Sequence, residues 1–108
     1  KYLGVTSTQR YALLPEVPTV AESDMAELKG FEALAWNGVL VAANTPRPVV
    51  DRINAALNTA LQDPAVKNVL RGGGLEPVGG TPEQFTQLIQ NESTKWAPII
   101  QRSGARID

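Results

Sequence analysis

Apolar residues along the chain recur in two patterns, one typical of buried strands and one typical of amphipathic helices. Segments rich in apolar residues at 2–6 and 31–42 predict strands, and the continuous stretch 39–42 is typical of a strand covered on both faces. Residues 75–78 predict a short strand, which Pro77 marks as an edge or an end. Helical spacing then relates two sets of apolar residues: Val50, Ile53, Leu57, Ala60 and Leu61, and later Phe85, Leu88, Ile89, Trp96, Ile99 and Ile100. Alternation of the two patterns predicts an α/β fold class, with short strands flanked by helices.

Prolines and capping residues predict where the helices begin. Thr45, Asp63 and Thr81 each precede a proline, a pattern typical of an N-cap followed by the first helical residue. Gln84 adds the fourth position of a capping box that starts at Thr81. Pro98 interrupts the last apolar stripe, so we expect a kink or a break in that helix.

Earlier in the chain, Pro15 and Pro18 stiffen a turn, and Thr19 can begin another helix. Glycines predict where elements end: Gly30, the triplet at 72–74 and Gly104 are typical C-terminal stops.

Charge and composition exclude several classes of function. The 108 residues carry 10 basic and 11 acidic side chains, and no run of like charge predicts binding to nucleic acid or to an anionic membrane. The sequence contains neither cysteine nor histidine, which excludes disulfides, thiolate nucleophiles and imidazole ligands for a metal within these residues. The glycine-rich segments 72–74 and 79–80 lack the lysine and spacing of phosphate-binding loops, so we interpret them as turns. We predict no catalytic residue, no metal site and no cofactor.

Four residues are candidates for ligand binding. Thr6 and Ser7 follow the first predicted strand, and ligands of open α/β sheets bind beyond the carboxyl ends of strands. Trp36 and Asn37 precede Gly38, which would let a ligand approach the backbone closely. Each also has a structural interpretation: Trp36 in the core, and the polar side chains bonded to nearby backbone.

Sequence blocks in a fixed order connect the chain to a known family. The blocks are residues 14–22 (LPEVPTVAE), 36–38 (WNG), 43–46 (ANTP) and 76–85 (EPVGGTPEQF). From Leu3 to Ile107 the chain resembles the C-terminal third of the solute-binding proteins of tripartite tricarboxylate transporters, the Bug-type family.

The resemblance implies a two-lobed, type II periplasmic-binding-protein-like fold, of which this chain is a fragment forming one partial domain. Residues 1–30 would end the second lobe and the hinge, and residues 31–108 would complete the first lobe. It also implies a non-catalytic periplasmic receptor that captures a small carboxylate and delivers it to membrane transporter subunits.

Two other interpretations stay open at the level of sequence. One is a non-catalytic piece of an α/β enzyme, and the other is a self-associating interaction module. An unpaired strand at residues 2–6 makes self-association of the fragment an expectation in either case.

Overall fold

The computed structural model describes residues 1–106. Ile107, where the resemblance ends, and Asp108, where the predicted first-lobe segment ends, lie outside the described residues. The chain divides into two compact units, Lys1–Gly38 and Val39–Asp108.

In the first unit, backbone hydrogen bonds join the segment at Val5 to the segment at residues 18–20, which follows the proline-rich turn. Val5 forms an isolated parallel bridge with Thr19: the Val5 amide donates to the Pro18 carbonyl at 2.9 Å, and the Val20 amide donates to the Val5 carbonyl at 2.8 Å. Val17 and Thr19 are each only 4% exposed and form the small core of this unit. Two short 3-10 helices follow, Val20–Glu22 and Ala26–Leu28.

The second unit contains three α-helices: α1 (Arg47–Ala60), α2 (Pro64–Gly72) and α3 (Pro82–Ser103). Two of the predicted N-caps are confirmed. The Asp63 carboxylate accepts from the Ala65 amide at 2.7 Å, and Thr81 and Gln84 form a complete capping box at the start of α3. Gly104 ends α3 in the left-handed conformation, at φ 69°, as the sequence predicts.

The predicted strands are not confirmed. Residues 2–6, 31–42 and 75–78 form no strand, and the Val5–Thr19 bridge is the only β-pairing among residues 1–106. A strand exists only when a neighbouring segment accepts and donates its backbone bonds. The described segments offer one another too few such partners, so the α/β prediction with short strands is not met within this chain.

Two helix predictions also need correction, and for the kink or break expected at Pro98 the structure excludes the break. The helix expected after Thr19 is a single 3-10 turn, because Ser23 already has extended backbone at ψ 159°. Thr45 does not cap α1; Pro46 occupies the N-cap position and offers no side-chain acceptor. Pro98 does not break α3, which runs on to Ser103, because proline removes one amide donor and about four regular turns precede it.

Two asparagines of α1 fix the turn that precedes α3. The Asn54 and Asn58 side-chain amides donate to the Gly80 carbonyl at 2.9 and 2.8 Å, and the Gly80 amide donates back to Asn58 Oδ1 at 2.9 Å. We call Asn54, Asn58 and Gly80 the asparagine clamp. It sets where Thr81 and hence α3 begin, and the Arg47–Glu83 ion pair at 2.6 Å adds a second link between the two helices.

Burial in the second unit is shallow. Along the described part of this unit no residue is fully buried, and the apolar stripes of α1 and α3 are half-buried or exposed, with Leu57 at 37% and Ile100 at 52%. The amphipathic pattern is therefore present in the helices, but much of each apolar face is uncovered.

Candidate functional site

All four predicted ligand residues lie in the first unit. Thr6 and Asn37 are exposed, Ser7 is half-buried, and Trp36 is 41% exposed, so Trp36 is not a core residue within this chain. The Ala33 amide donates to the Thr6 carbonyl at 3.0 Å. This bond places the segment that leads to Trp36 beside the end of the first predicted strand.

Ser7 belongs to a short loop with its own internal hydrogen bond. Its hydroxyl donates to the Gln9 carbonyl at 2.6 Å, which uses its hydrogen within the loop and leaves the oxygen lone pairs as acceptors. We call residues 6–10 the site loop, since it carries Thr6 and Ser7 and ends at Arg10.

Sequence reasoning missed the ion pair that closes this loop. Arg10 Nε lies 3.1 Å from both carboxylate oxygens of Glu22, and Arg10 Nη2 donates to Glu22 Oε1 at 2.9 Å. The remaining Arg10 nitrogen, Nη1, donates to the Pro15 carbonyl at 3.2 Å. No periodic pattern relates two residues 12 positions apart, so only the fold reveals this pair.

Glu22 also completes a capping box with Thr19. The Thr19 amide donates to Glu22 Oε2 at 2.6 Å, and the Glu22 amide donates to Thr19 Oγ1 at 3.2 Å. Here the sequence does carry a signal, because threonine and glutamate three residues apart are a capping-box pattern.

These bonds shift the pKa of both the Glu22 carboxyl and the Arg10 guanidinium. Hydrogen bonds from Arg10, followed by the Thr19 amide, lower the pKa of the Glu22 carboxyl to about 2, since both stabilise the carboxylate form. The same carboxylate raises the pKa of the Arg10 guanidinium. The pair is therefore charged on both sides at any pH near neutrality.

The depressed pKa predicts acid sensitivity of the first unit. The usual pKa of such a carboxyl is 4.5, so the stabilisation from Glu22 is fully present above about pH 4.5 and is lost as pH falls towards about 2. Wild-type protein should lose thermal stability more steeply over this window than Glu22→Gln, as followed by circular dichroism melts. Equal slopes for the two proteins would contradict the prediction.

An open surface depression of about 360 Å³ adjoins the pair and is lined by Thr8, Gln9, Arg10, Thr19 and Glu22. None of the four predicted ligand residues lines it, and its arginine is already bonded to Glu22. Across residues 1–106 no cluster of acidic side chains is arranged to hold a metal ion.

None of the helices in the described part of the chain is long and apolar enough to cross a membrane.

Comparison with known proteins identifies the family. The family model described as "Tripartite tricarboxylate transporter family receptor" matches residues 1–105. The chain is 46% identical over 98 residues to the UPF0065 protein in the tcbD-tcbE intergenic region of Pseudomonas sp. (strain P51), covering 91% of this chain and 29% of that protein. Similarity to Protein BugT of Bordetella pertussis is 32% identity over 105 residues, covering 97% of this chain and 31% of BugT.

A third relative is shorter. The UPF0065 protein in the clcB-clcD intergenic region of Pseudomonas knackmussii is 37% identical over 98 residues, which are 91% of this chain and 57% of that protein. The chain thus spans between about a third and three fifths of the length of these relatives, and no solved structure matches it. The family is described as one of receptors, in agreement with the expectation of a non-enzymatic protein. Because the family model matches nearly every residue, this chain belongs to the tripartite tricarboxylate transporter receptor family.

Proposed function

We propose that this chain is part of a periplasmic solute-binding receptor that captures a small carboxylate and presents it to the membrane subunits of a tripartite tricarboxylate-type transporter. The family match over residues 1–105 is the observation that carries the proposal. We further propose that the natural polypeptide is longer, because the chain corresponds to 29% and 31% of two of its relatives. We call that longer polypeptide the full-length protein.

The exposed surface supports a longer polypeptide. The chain exposes 8805 Å², whereas a compact monomer of 11.6 kDa exposes roughly 5,800 Å². Even two separate compact units of the lengths seen here would expose only about 7,000 Å² together. The excess is more than twice the roughly 800 Å² that one partner contributes to a standard protein–protein interface, so we propose that further polypeptide covers it.

In the full-length protein we propose that residues 2–6, 31–42 and 75–78 pair as strands of two α/β lobes. Residues 1–30 would then end the second lobe and the hinge, and residues 31–108 would complete the first lobe. Thr6, Ser7, Trp36 and Asn37 would face the cleft, and the bond between Ala33 and Thr6 supports this because it already joins the two candidate segments.

Capture of a carboxylate needs preorganised donors rather than a reactive group. Hydroxyl, amide and backbone N–H groups in a closing cleft can replace the water that solvates the anion. Closure is favoured only if the ligand binds the closed form more tightly than the open form. In the site loop Thr6 carries a hydroxyl that can donate in this way, whereas Ser7 would first have to release its bond to the Gln9 carbonyl.

The proposal is tested by calorimetric titration of the full-length protein with succinate and citrate. We expect saturable binding of one of these acids and no heat with succinamide, which has a similar shape without the charge. This chain alone should give no heat with either acid, because it cannot form a cleft. Absence of binding by the full-length protein to any small di- or tricarboxylate would overturn the proposal.

Self-association of the chain by itself is a second proposal, favoured by its exposed apolar side chains. Among the most exposed are Leu3, Leu40, Val69 and Val78, at 84%, 75%, 76% and 87%. Light scattering on the isolated chain should report a dimer or a larger species. A monomer at high concentration would contradict it, leaving carboxylate capture by the full-length protein unaffected.

A further inference from the structure

We propose that the Arg10–Glu22 pair is a positioning device: it fixes the site loop for ligand binding without itself contacting the ligand. This inference rests on the proposed function, because it assumes that Thr6 and Ser7 face the ligand. It goes further in assigning a role to two residues that the ligand does not touch.

Arg10 is already engaged inside the fold. At least three of its five N–H groups are used, Nε and one on Nη2 by the Glu22 carboxylate and one on Nη1 by the Pro15 carbonyl. An arginine near a proposed anion site would ordinarily be taken as the group that binds the anion. Here its charge is already neutralised at 2.9 Å by Glu22.

The Arg10–Glu22 pair closes the site loop at one end, and backbone bonds close it at the other. Val5, just before the loop, is bonded to Pro18 and Val20 on either side of Thr19. Arg10, the last residue of the loop, is bonded to Glu22, whose carboxylate also accepts from the Thr19 amide. Both ends of the loop are thereby attached to the same short segment.

Ordering the site loop costs conformational entropy. If this five-residue loop became ordered only when ligand binds, that cost would weaken the observed affinity. A loop that is attached at both ends before binding has already lost much of its backbone freedom. The Arg10–Glu22 pair should therefore increase affinity by keeping the site loop ordered in the ligand-free protein.

The chain itself supplies the variant that separates the ion pair from the capping box. At Thr81 the same box is made with Gln84, whose side-chain oxygen accepts from the Thr81 amide at 2.8 Å. Glu22→Gln should accordingly keep the box at Thr19 and remove only the charge that holds Arg10. Arg10→Met removes the other partner and keeps an unbranched apolar stem.

A matched control lies in the second unit. Arg71 and Glu76 form an ion pair at 2.7 Å with side-chain exposures of 46% and 51%, against 48% and 44% for Arg10 and Glu22. Arg71→Met and Glu76→Gln remove a pair of the same chemistry and similar exposure that belongs to the other unit.

The test measures two quantities in the full-length protein: the Kd for the acid that binds, by calorimetry, and amide hydrogen exchange of residues 6–10 without ligand. We expect Arg10→Met and Glu22→Gln each to weaken binding about two- to fivefold, as befits an exposed ion pair, and the double variant to weaken it no further, because both single changes abolish one interaction. Exchange of residues 6–10 should accelerate in all three. The Arg71 and Glu76 variants should change neither quantity.

Two results would overturn the positioning role: unchanged exchange in the site loop, or faster exchange with an unchanged Kd. Additive losses in the double variant would also overturn it, since they would indicate that the two residues act separately. If the wild-type protein binds no carboxylate, the proposed function and the ligand-directed role fall together. Exchange then still decides whether the pair orders the loop.

Discussion

Replacing Gly79 by alanine is expected to lower the free energy of unfolding by about 2–3 kcal/mol, whereas the same replacement at Gly72 should raise it by about 0.5–1 kcal/mol. Gly79 has φ +73°, a conformation that costs energy for any residue with a Cβ atom. An added Cβ would also lie 2.5 Å from Asn58 Oδ1. That oxygen cannot move away without losing its bond to the Gly80 amide, so the strain has no inexpensive release.

Gly72 provides the control because it is a glycine without these constraints. It is the last residue of α2, and an added Cβ would meet no atom within 4 Å. Alanine there restricts the unfolded chain and favours the helix. Urea unfolding of the two variants in the full-length protein should therefore shift in opposite directions, and a loss of stability at both positions would contradict the analysis.

Replacing Asn58 by alanine should destabilise the protein by about 2 kcal/mol. Its side chain donates to Gly80 and Asn54 and accepts from the Gly80 amide, so truncation leaves a half-buried amide and carbonyl with fewer partners. The turn before α3 would then lose the bonds that fix it to α1. Thermal or urea unfolding of the full-length protein measures the effect.

Asn68→Ala is the matched control for this prediction. Asn68 is an exposed residue of α2 and lies outside the asparagine clamp. Surface changes of this kind usually stay within about 0.5 kcal/mol. Equal effects of the two substitutions would show that the clamp contributes nothing beyond helix propensity.

Local signals in the sequence predicted the helix ends well where the capping residue acts within its own turn. Asp63 and Thr81 were assigned correctly because an N-cap needs only a side-chain oxygen and an amide two or three residues later. Thr45 was assigned wrongly, since Pro46 takes the N-cap position instead. The choice between adjacent cap positions depends on how the preceding chain enters the helix, and composition does not encode that.

The strand predictions are not confirmed within this chain, for a different reason. Residues 31–42 carry the apolar pattern of a buried strand, yet pairing requires a second segment at hydrogen-bond distance along the whole run. Within residues 1–106 such a partner exists only at Val5 and Thr19. An apolar pattern shows that a segment is able to form a buried strand, but the strand forms only if a second segment lies beside it.

In the candidate site, too, some residues could be predicted from local sequence and others could not. Thr6 and Ser7 are candidates because they end a predicted strand, and Trp36 and Asn37 because they lie within one, just before Gly38; all four stay a proposal. Arg10 and Glu22 could not be related from sequence at all, because their contact spans 12 residues and depends on the turn through Pro15 and Pro18.

Residue order alone predicts the family, the two correctly assigned caps and the amphipathic faces of α1 and α3, since each depends on contacts within a few positions or on the sequence itself. The fold was needed to reveal the Arg10–Glu22 pair, the asparagine clamp and the absence of strands among residues 1–106. These depend on which distant segments meet, and a backbone or side-chain hydrogen bond forms only when both partners come within about 3 Å.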